Sequence, residues 1–107
     1  MALNRLELSG RLLEAGTLRH TPAGVAALQF TLAHESEQQE AGVTRKVQAE
    51  IGAIAFETQA KLIAARPLGS GVKLQGFLSA KSKRAKKLLL HVTNIEFLEG
   101  EAHASTS

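Results

Sequence analysis

The sequence predicts an all-β fold: five strands with one short helix between the third and the fourth. Three observations lead there. Apolar and polar residues alternate with period two over five separate segments, which marks half-buried strands. One segment alone switches to helical spacing. Pro and Gly clusters fall between these segments, where the chain must turn.

The first strand is written by Leu6, Leu8, Gly10 and Leu12 alternating with Glu7, Ser9 and Arg11. Gly10 in its interior predicts a bulge or a sharp bend, as small barrels need at their corners. Thr21-Pro22-Ala23-Gly24 is a turn. Leu28, Phe30 and Leu32 then alternate with Gln29, Thr31 and Ala33, so the turn and the two strands read as a hairpin. Residues 36–42 (Ser-Glu-Gln-Gln-Glu-Ala-Gly) are polar and read as a loop. The third strand follows, with Val47, Ala49 and Ile51 apolar against Lys46, Gln48 and Glu50.

Phe56, Ala60, Ile63 and Ala64 share one face of a helix, which Pro67 stops. Val72, Leu74, Gly76 and Leu78 set the fourth strand. Leu88, Leu90 and Val92 open the fifth, whose phase slips before Ile95 and Phe97. Beyond Glu99 the apolar pattern is lost. The expected organisation is one domain over residues 1–98 and a flexible tail over 99–107, with His103 in the tail.

A chain of 107 residues suits one domain, and 44% hydrophobic residues with 21% charged is globular composition. The absence of cysteine excludes disulfide scaffolds, thiolate metal sites and cysteine nucleophiles. No apolar run approaches the length of a membrane span, and the N-terminus lacks the apolar stretch of a signal peptide, so a cytoplasmic location is the expectation. His20, His34, His91 and His103 show no metal-ligand spacing, and neither a nucleophile elbow nor a phosphate loop is present. His34 and His91 read as structural, and Glu7, Glu50 and Glu96 as facing water. The expectation is a binding protein, neither an enzyme nor the holder of a cofactor or metal.

The net charge of +3 hides a strong asymmetry. Lys81, Lys83, Arg84, Lys86 and Lys87 place five cations in seven residues with no acid among them. The other eight cations face ten glutamates, so all the basic character sits in this run. Such a run is either a solvated loop or an attractor for a polyanion, which binds with release of counterions.

Three strands, a helix and two strands is the order of the OB-fold, a five-stranded Greek-key barrel. The basic run then occupies the loop between the fourth and fifth strands. That loop, with the one joining the first two strands, grips an oligonucleotide or oligosaccharide in this architecture. Fold and charge together favour nucleic acid.

Aromatic residues are scarce. There is no Trp or Tyr, and the four phenylalanines are Phe30, Phe56, Phe77 and Phe97. Phe30 and Phe56 sit among core positions. Phe77 is out of phase with Val72, Leu74 and Leu78; its ring could stack a base or fill a subunit interface. With few rings to stack on, affinity would come mainly from phosphate contacts and be nearly indifferent to sequence.

Several stretches also match a known group. Residues 4–10 (Asn-Arg-Leu-Glu-Leu-Ser-Gly) resemble the first strand of the bacterial single-stranded DNA-binding protein superfamily. Thr21-Pro22-Ala23-Gly24, Gln29-Phe30-Thr31-Leu32 with His34, Glu40-Ala41-Gly42, residues 72–79 and Leu90-His91 before Ile95-Glu96 are similar, in order, to its primosomal replication protein N (PriB) family. The resemblance implies a homodimer of OB-folds that binds single-stranded DNA and helps reload the replicative helicase at stalled forks. Its implied partners are the primosomal helicase and other primosome proteins, and it implies no catalytic activity. The family's basic DNA contacts carry over onto Arg19, onto the run of Lys81, Lys83, Arg84, Lys86 and Lys87, and onto Arg45 near the third strand. Val43 and Gln48 stand where family members have aromatic residues, and Glu35 where they can have a cation. These departures predict weaker single-strand binding than the resemblance implies, offset in part by the denser cation run. The competing reading is a protein-interaction module that contacts a helicase or loader with little DNA affinity of its own. An RNA-binding module of cold-shock type is disfavoured by the lack of surface aromatic motifs.

Overall fold

The computed structural model describes residues 2–98. The tail expected over 99–107 lies outside the described residues. The order of elements is β1 (Leu6–Ala15), β2 (Arg19–His20), β3 (Ala26–Glu40), β4 (Val43–Phe56), α1 (Glu57–Ala64), β5 (Gly71–Ala80) and β6 (Leu88–Phe97). The five long strands are those the alternation predicts. β2 is a two-residue addition that pairs Arg19 with Ala27 and His20 with Ala26.

The sheet closes on itself. Its order is β1-β5-β6-β4-β3-β2, and β1 also pairs with β3. β4 and β6 run parallel, through Ala53 opposite Leu90 and Ile54 opposite His91; every other pairing is antiparallel. This is the OB-fold barrel that the element order predicts.

β1 serves two neighbours because it bends. Its first half, Leu6 to Arg11, pairs with β5, and from Arg11 onward it pairs with β3. Gly10 sits at the crossover. A Cβ there would overlap the Ala33 carbonyl and lie 3.0 Å from Leu32 Cγ, so only glycine lets the two backbones approach. The phase slip expected in the fifth strand is a bulge: Gln75 pairs with Asn94 while Gly76 pairs with Val92, leaving Thr93 unpaired.

The inward faces meet in one core of Leu12, Leu28, Phe30, Leu32, Ala53, Ala55, Val72, Leu74, Leu90 and Val92. The helix closes one end of the barrel with Ala60 and Ile63, both buried, while Ala64 stays exposed. Phe56 is not a core residue. It precedes the helix as its N-cap and is 36% exposed, because β4 turns its ring to the outer face there.

The hairpin read from the sequence is present: β1 and β3 pair antiparallel, and the connection between them carries β2 and the Thr21–Gly24 turn, closed by Gly24 N–H donating to the Thr21 carbonyl at 2.8 Å. The structure differs from the sequence reading over residues 36–42. Only Ala41 and Gly42 form the turn there, at φ 52° and 78°, and residues 36–40 continue β3. β3 and β4 stay in register from Ala27 opposite Phe56 out to Glu40 opposite Val43. Beyond Ala33 and Glu50 neither strand has a third partner, so the pair leaves the barrel as a two-stranded arm. Both faces of the arm meet water, which removes the alternation that marks a half-buried strand. Polar cross-strand pairs hold it instead: Gln39 Nε2 donates to Thr44 Oγ1 at 2.6 Å and Gln48 Nε2 to Glu35 Oε2 at 3.0 Å.

Candidate nucleic-acid interface

Charge concentrates on the β5–β6 loop. The Lys81 amide donates to the Lys87 carbonyl at 2.9 Å, the Ser82 amide to the Ala85 carbonyl at 3.2 Å, and the Ala85 amide to Ser82 Oγ at 2.8 Å. The backbone thus satisfies itself, and the side chains of Lys81, Lys83, Arg84, Lys86 and Lys87 are left in solvent. None of the five forms an ion pair with another described residue. Their potential is therefore available to an outside anion.

The root of the loop, Lys81 and Lys87, borders a cleft of about 610 Å³ on the outer face of the barrel. Alternation builds its floor. Leu28, Phe30 and Leu32 point inward along β3, so Gln29 and Thr31 point outward into the cleft. Opposite Thr31 on β4 is Gly52, where a Cβ would stand 3.4 Å from Leu89 Cδ1, and Leu89 adds to the floor. One wall is the end of β1, Glu14 and Ala15, with Gly16; the other is Lys81, Lys87 and Leu88, with Leu68 also lining the space. Glu14 opposes an incoming polyanion, but the opposite wall and the loop beyond it outweigh one carboxylate.

A different cleft, of about 510 Å³, lies where the arm leaves the barrel. It is lined by Ser9, Arg11, His34, Glu35, Gln48 and Glu50 among others. Two carboxylates against one guanidinium make it unfavourable for a polyanion. His34 is structural there, as expected, with Nδ1 2.7 Å from the Ser9 carbonyl and Nε2 2.8 Å from Ser36 Oγ.

The structure gathers only some of the residues singled out from the sequence. Lys81 and Lys87 line the first cleft; Lys83, Arg84 and Lys86 are exposed in the same loop but do not line it. Arg19 is exposed on β2 opposite Ala27, two positions along β3 from Gln29 of the floor. Arg45 is far out on the arm and paired with Glu40 at 2.5 Å. Val43, at the turn of the arm, is 55% exposed. Phe77, 40% exposed, lies in neither cleft. It lines a hollow with Asn4, Arg5, Glu7 and Gln75, and one of its faces is stacked on His91, with centroids 4.9 Å apart and planes at 12°.

Sequence reasoning missed Gln29, Thr31, Gly52, Leu68 and Leu88 as cleft residues. Leu88 had a signal, since Leu88-Leu89-Leu90 breaks the alternation and forces one leucine outward. Leu68 had none. Among the described residues, no three His or Glu side chains are grouped so as to hold a metal ion.

Comparison with known proteins agrees with this architecture. Residues 4–94 match the model of a family described as "Another single-strand binding protein family". The chain is 46% identical over 98 residues, 92% of both chains, to the replication restart protein PriB of Bordetella pertussis. Among solved structures, PriB from Ralstonia solanacearum superposes with a TM-score of 0.79 at 31% identity, over 91% of this chain and all of that one. The wild-type single-stranded DNA binding protein from Thermus aquaticus gives 0.73 at 26% identity, over 94% of this chain and 52% of that one.

Proposed function

This chain belongs to the PriB family of single-strand binding proteins, and from that premise we propose that it binds single-stranded DNA as an accessory of replication restart. One observation supports the reading above the rest: the cationic loop, whose charged side chains form no ion pair among the described residues, borders through Lys81 and Lys87 a cleft of about 610 Å³ on the face that OB-folds use for binding. Lys81, Lys83, Arg84, Lys86 and Lys87 contact phosphates, and Arg19 extends the track past Gln29. Arg45 joins only when it leaves Glu40.

The mechanism is binding and hand-off, with no bond made or broken. A strand held by phosphate contacts is released readily as local charge changes, which suits a protein that passes DNA to a helicase and its loader. The partners proposed are the primosomal helicase and other primosome proteins. The chain acts as a homodimer. The β1 edge at Leu6–Leu8 pairs with β5 on one side and with no described strand on the other, which leaves that edge available to pair, and Phe77 lies close by. Its place outside the cationic cleft supports the subunit-contact role over base stacking.

The test is a fluorescence anisotropy titration of labelled single- and double-stranded DNA across a salt series. Single strands should bind preferentially and with little regard to sequence. The five loop cations alone contribute about −3.5 to the log–log salt slope, at about −0.7 for each phosphate neutralised. No measurable binding at low salt, together with capture of a primosome protein that survives nuclease treatment, would instead select the protein-interaction reading.

A further inference from the structure

The cationic cleft contains an apolar element that phosphate binding does not require. Leu68 is 60% exposed and Leu88 is 54% exposed, and both line the cleft beside Lys81 and Lys87. Exposed leucines are ordinary on mobile surface, but these two are on fixed mounts. The turn bearing Leu68 is tied to β1 from both sides: Gly69 N–H donates to the Leu12 carbonyl at 2.7 Å, Leu12 N–H to the Ser70 carbonyl at 3.0 Å, and Arg11 Nη1 to the Gly69 carbonyl at 3.1 Å. Ser70 Oγ also donates to the Pro67 carbonyl at 2.7 Å. Leu88 pairs with Ala80 at the root of the closed cationic loop. Both side chains are therefore held out to solvent by rigid backbone.

No ring does this work in the cleft. Phe30 borders it but is only 4% exposed, and Phe56, Phe77 and Phe97 lie outside it. We propose that Leu68 and Leu88 form an aliphatic seat for the nucleobases of a single strand whose phosphates are held by Lys81 and Lys87. The inference rests on the DNA-binding reading above and adds the groups that touch the bases. The occupant is a single-stranded polynucleotide because the seat lies against a cationic wall, and only an unpaired strand offers flat apolar base faces beside its phosphates. Aliphatic side chains pack on any base, so the seat adds affinity without adding sequence preference.

Two variants test it against paired ligands: oligothymidylate and an abasic oligomer of equal length, the second having phosphates but no bases. Leu68→Ala with Leu88→Ala should weaken oligothymidylate binding about tenfold, the scale of the aliphatic burial lost. Abasic binding and the salt slope should stay as in the parent chain. Leu68→Trp supplies the chain's only tryptophan, and its fluorescence should be quenched by oligothymidylate and left unchanged by the abasic oligomer. Both positions are exposed, and far-ultraviolet circular dichroism confirms that the variants fold. An equal loss on both oligomers, or no loss on either, overturns the seat while leaving the phosphate-binding reading intact. A parent chain that binds neither oligomer overturns both.

Discussion

The main-chain hydrogen bond from Lys81 to Lys87, 2.9 Å long, closes the cationic loop at its root independently of the charged side chains. The loop's shape and its charge are therefore separable. Replacing Lys83, Arg84, Lys86 and Lys87 by Ala should leave the fold intact and make the salt slope for single-stranded DNA shallower by about 2.8, at about 0.7 for each cation lost. Anisotropy titrations over a salt series read this directly. An unchanged slope would remove the loop from the interface.

Arg45 is restrained by Glu40 on the arm, in a pair whose side chains are 60% and 68% exposed. Exposed pairs contribute little to stability, about 0.2–1 kcal/mol before salt screening. Glu40→Gln should leave the thermal midpoint nearly unchanged and tighten single-strand binding at low salt, because it frees a cation and removes a carboxylate. Equal affinity for the variant and the parent chain would place the arm away from the DNA.

Ala41 occupies the left-handed region at φ 52° in the two-residue turn of the arm, followed by Gly42 at 78°. That conformation is costly for a residue with a Cβ and suits Gly or Asn. Ala41→Gly should stabilise the arm by about 0.5–1 kcal/mol. Slower amide exchange at Gln39 and Thr44 would report it, and faster exchange would contradict it.

At the bend of β1, Gly10→Ala drives a methyl into the Ala33 carbonyl. Two paired strands must part to make room, at a cost of about 1–3 kcal/mol. Urea denaturation should show a lower midpoint at an unchanged slope. An unaltered midpoint would mean that β1 does not cross β3 as closely as this.

Phe77→Ala separates the two roles considered for that ring. If Phe77 supports the subunit contact, light scattering should show a smaller mean mass at low protein concentration, while DNA affinity per chain holds. Loss of affinity at constant mass would return Phe77 to base stacking.

The sequence on its own determined the barrel and the location of its charge. Leu6–Leu8–Leu12, Leu28–Phe30–Leu32 and Val72–Leu74–Leu78 are legible because each strand buries one face and wets the other, and that one-sided burial is written as alternation. The cations at 81–87 are adjacent in the chain, so their density needs no fold to be seen. Only the tertiary structure decided the arm and the cleft. Residues 36–40 extend β3 with water on both faces, and a strand exposed on both sides leaves no periodic trace. The cleft joins Glu14, Gln29, Gly52, Leu68 and Lys87, residues from five separate segments. Closure of the barrel makes them neighbours, and closure depends on long-range pairings such as Arg11 with Ala33 and Gly71, which no local pattern encodes.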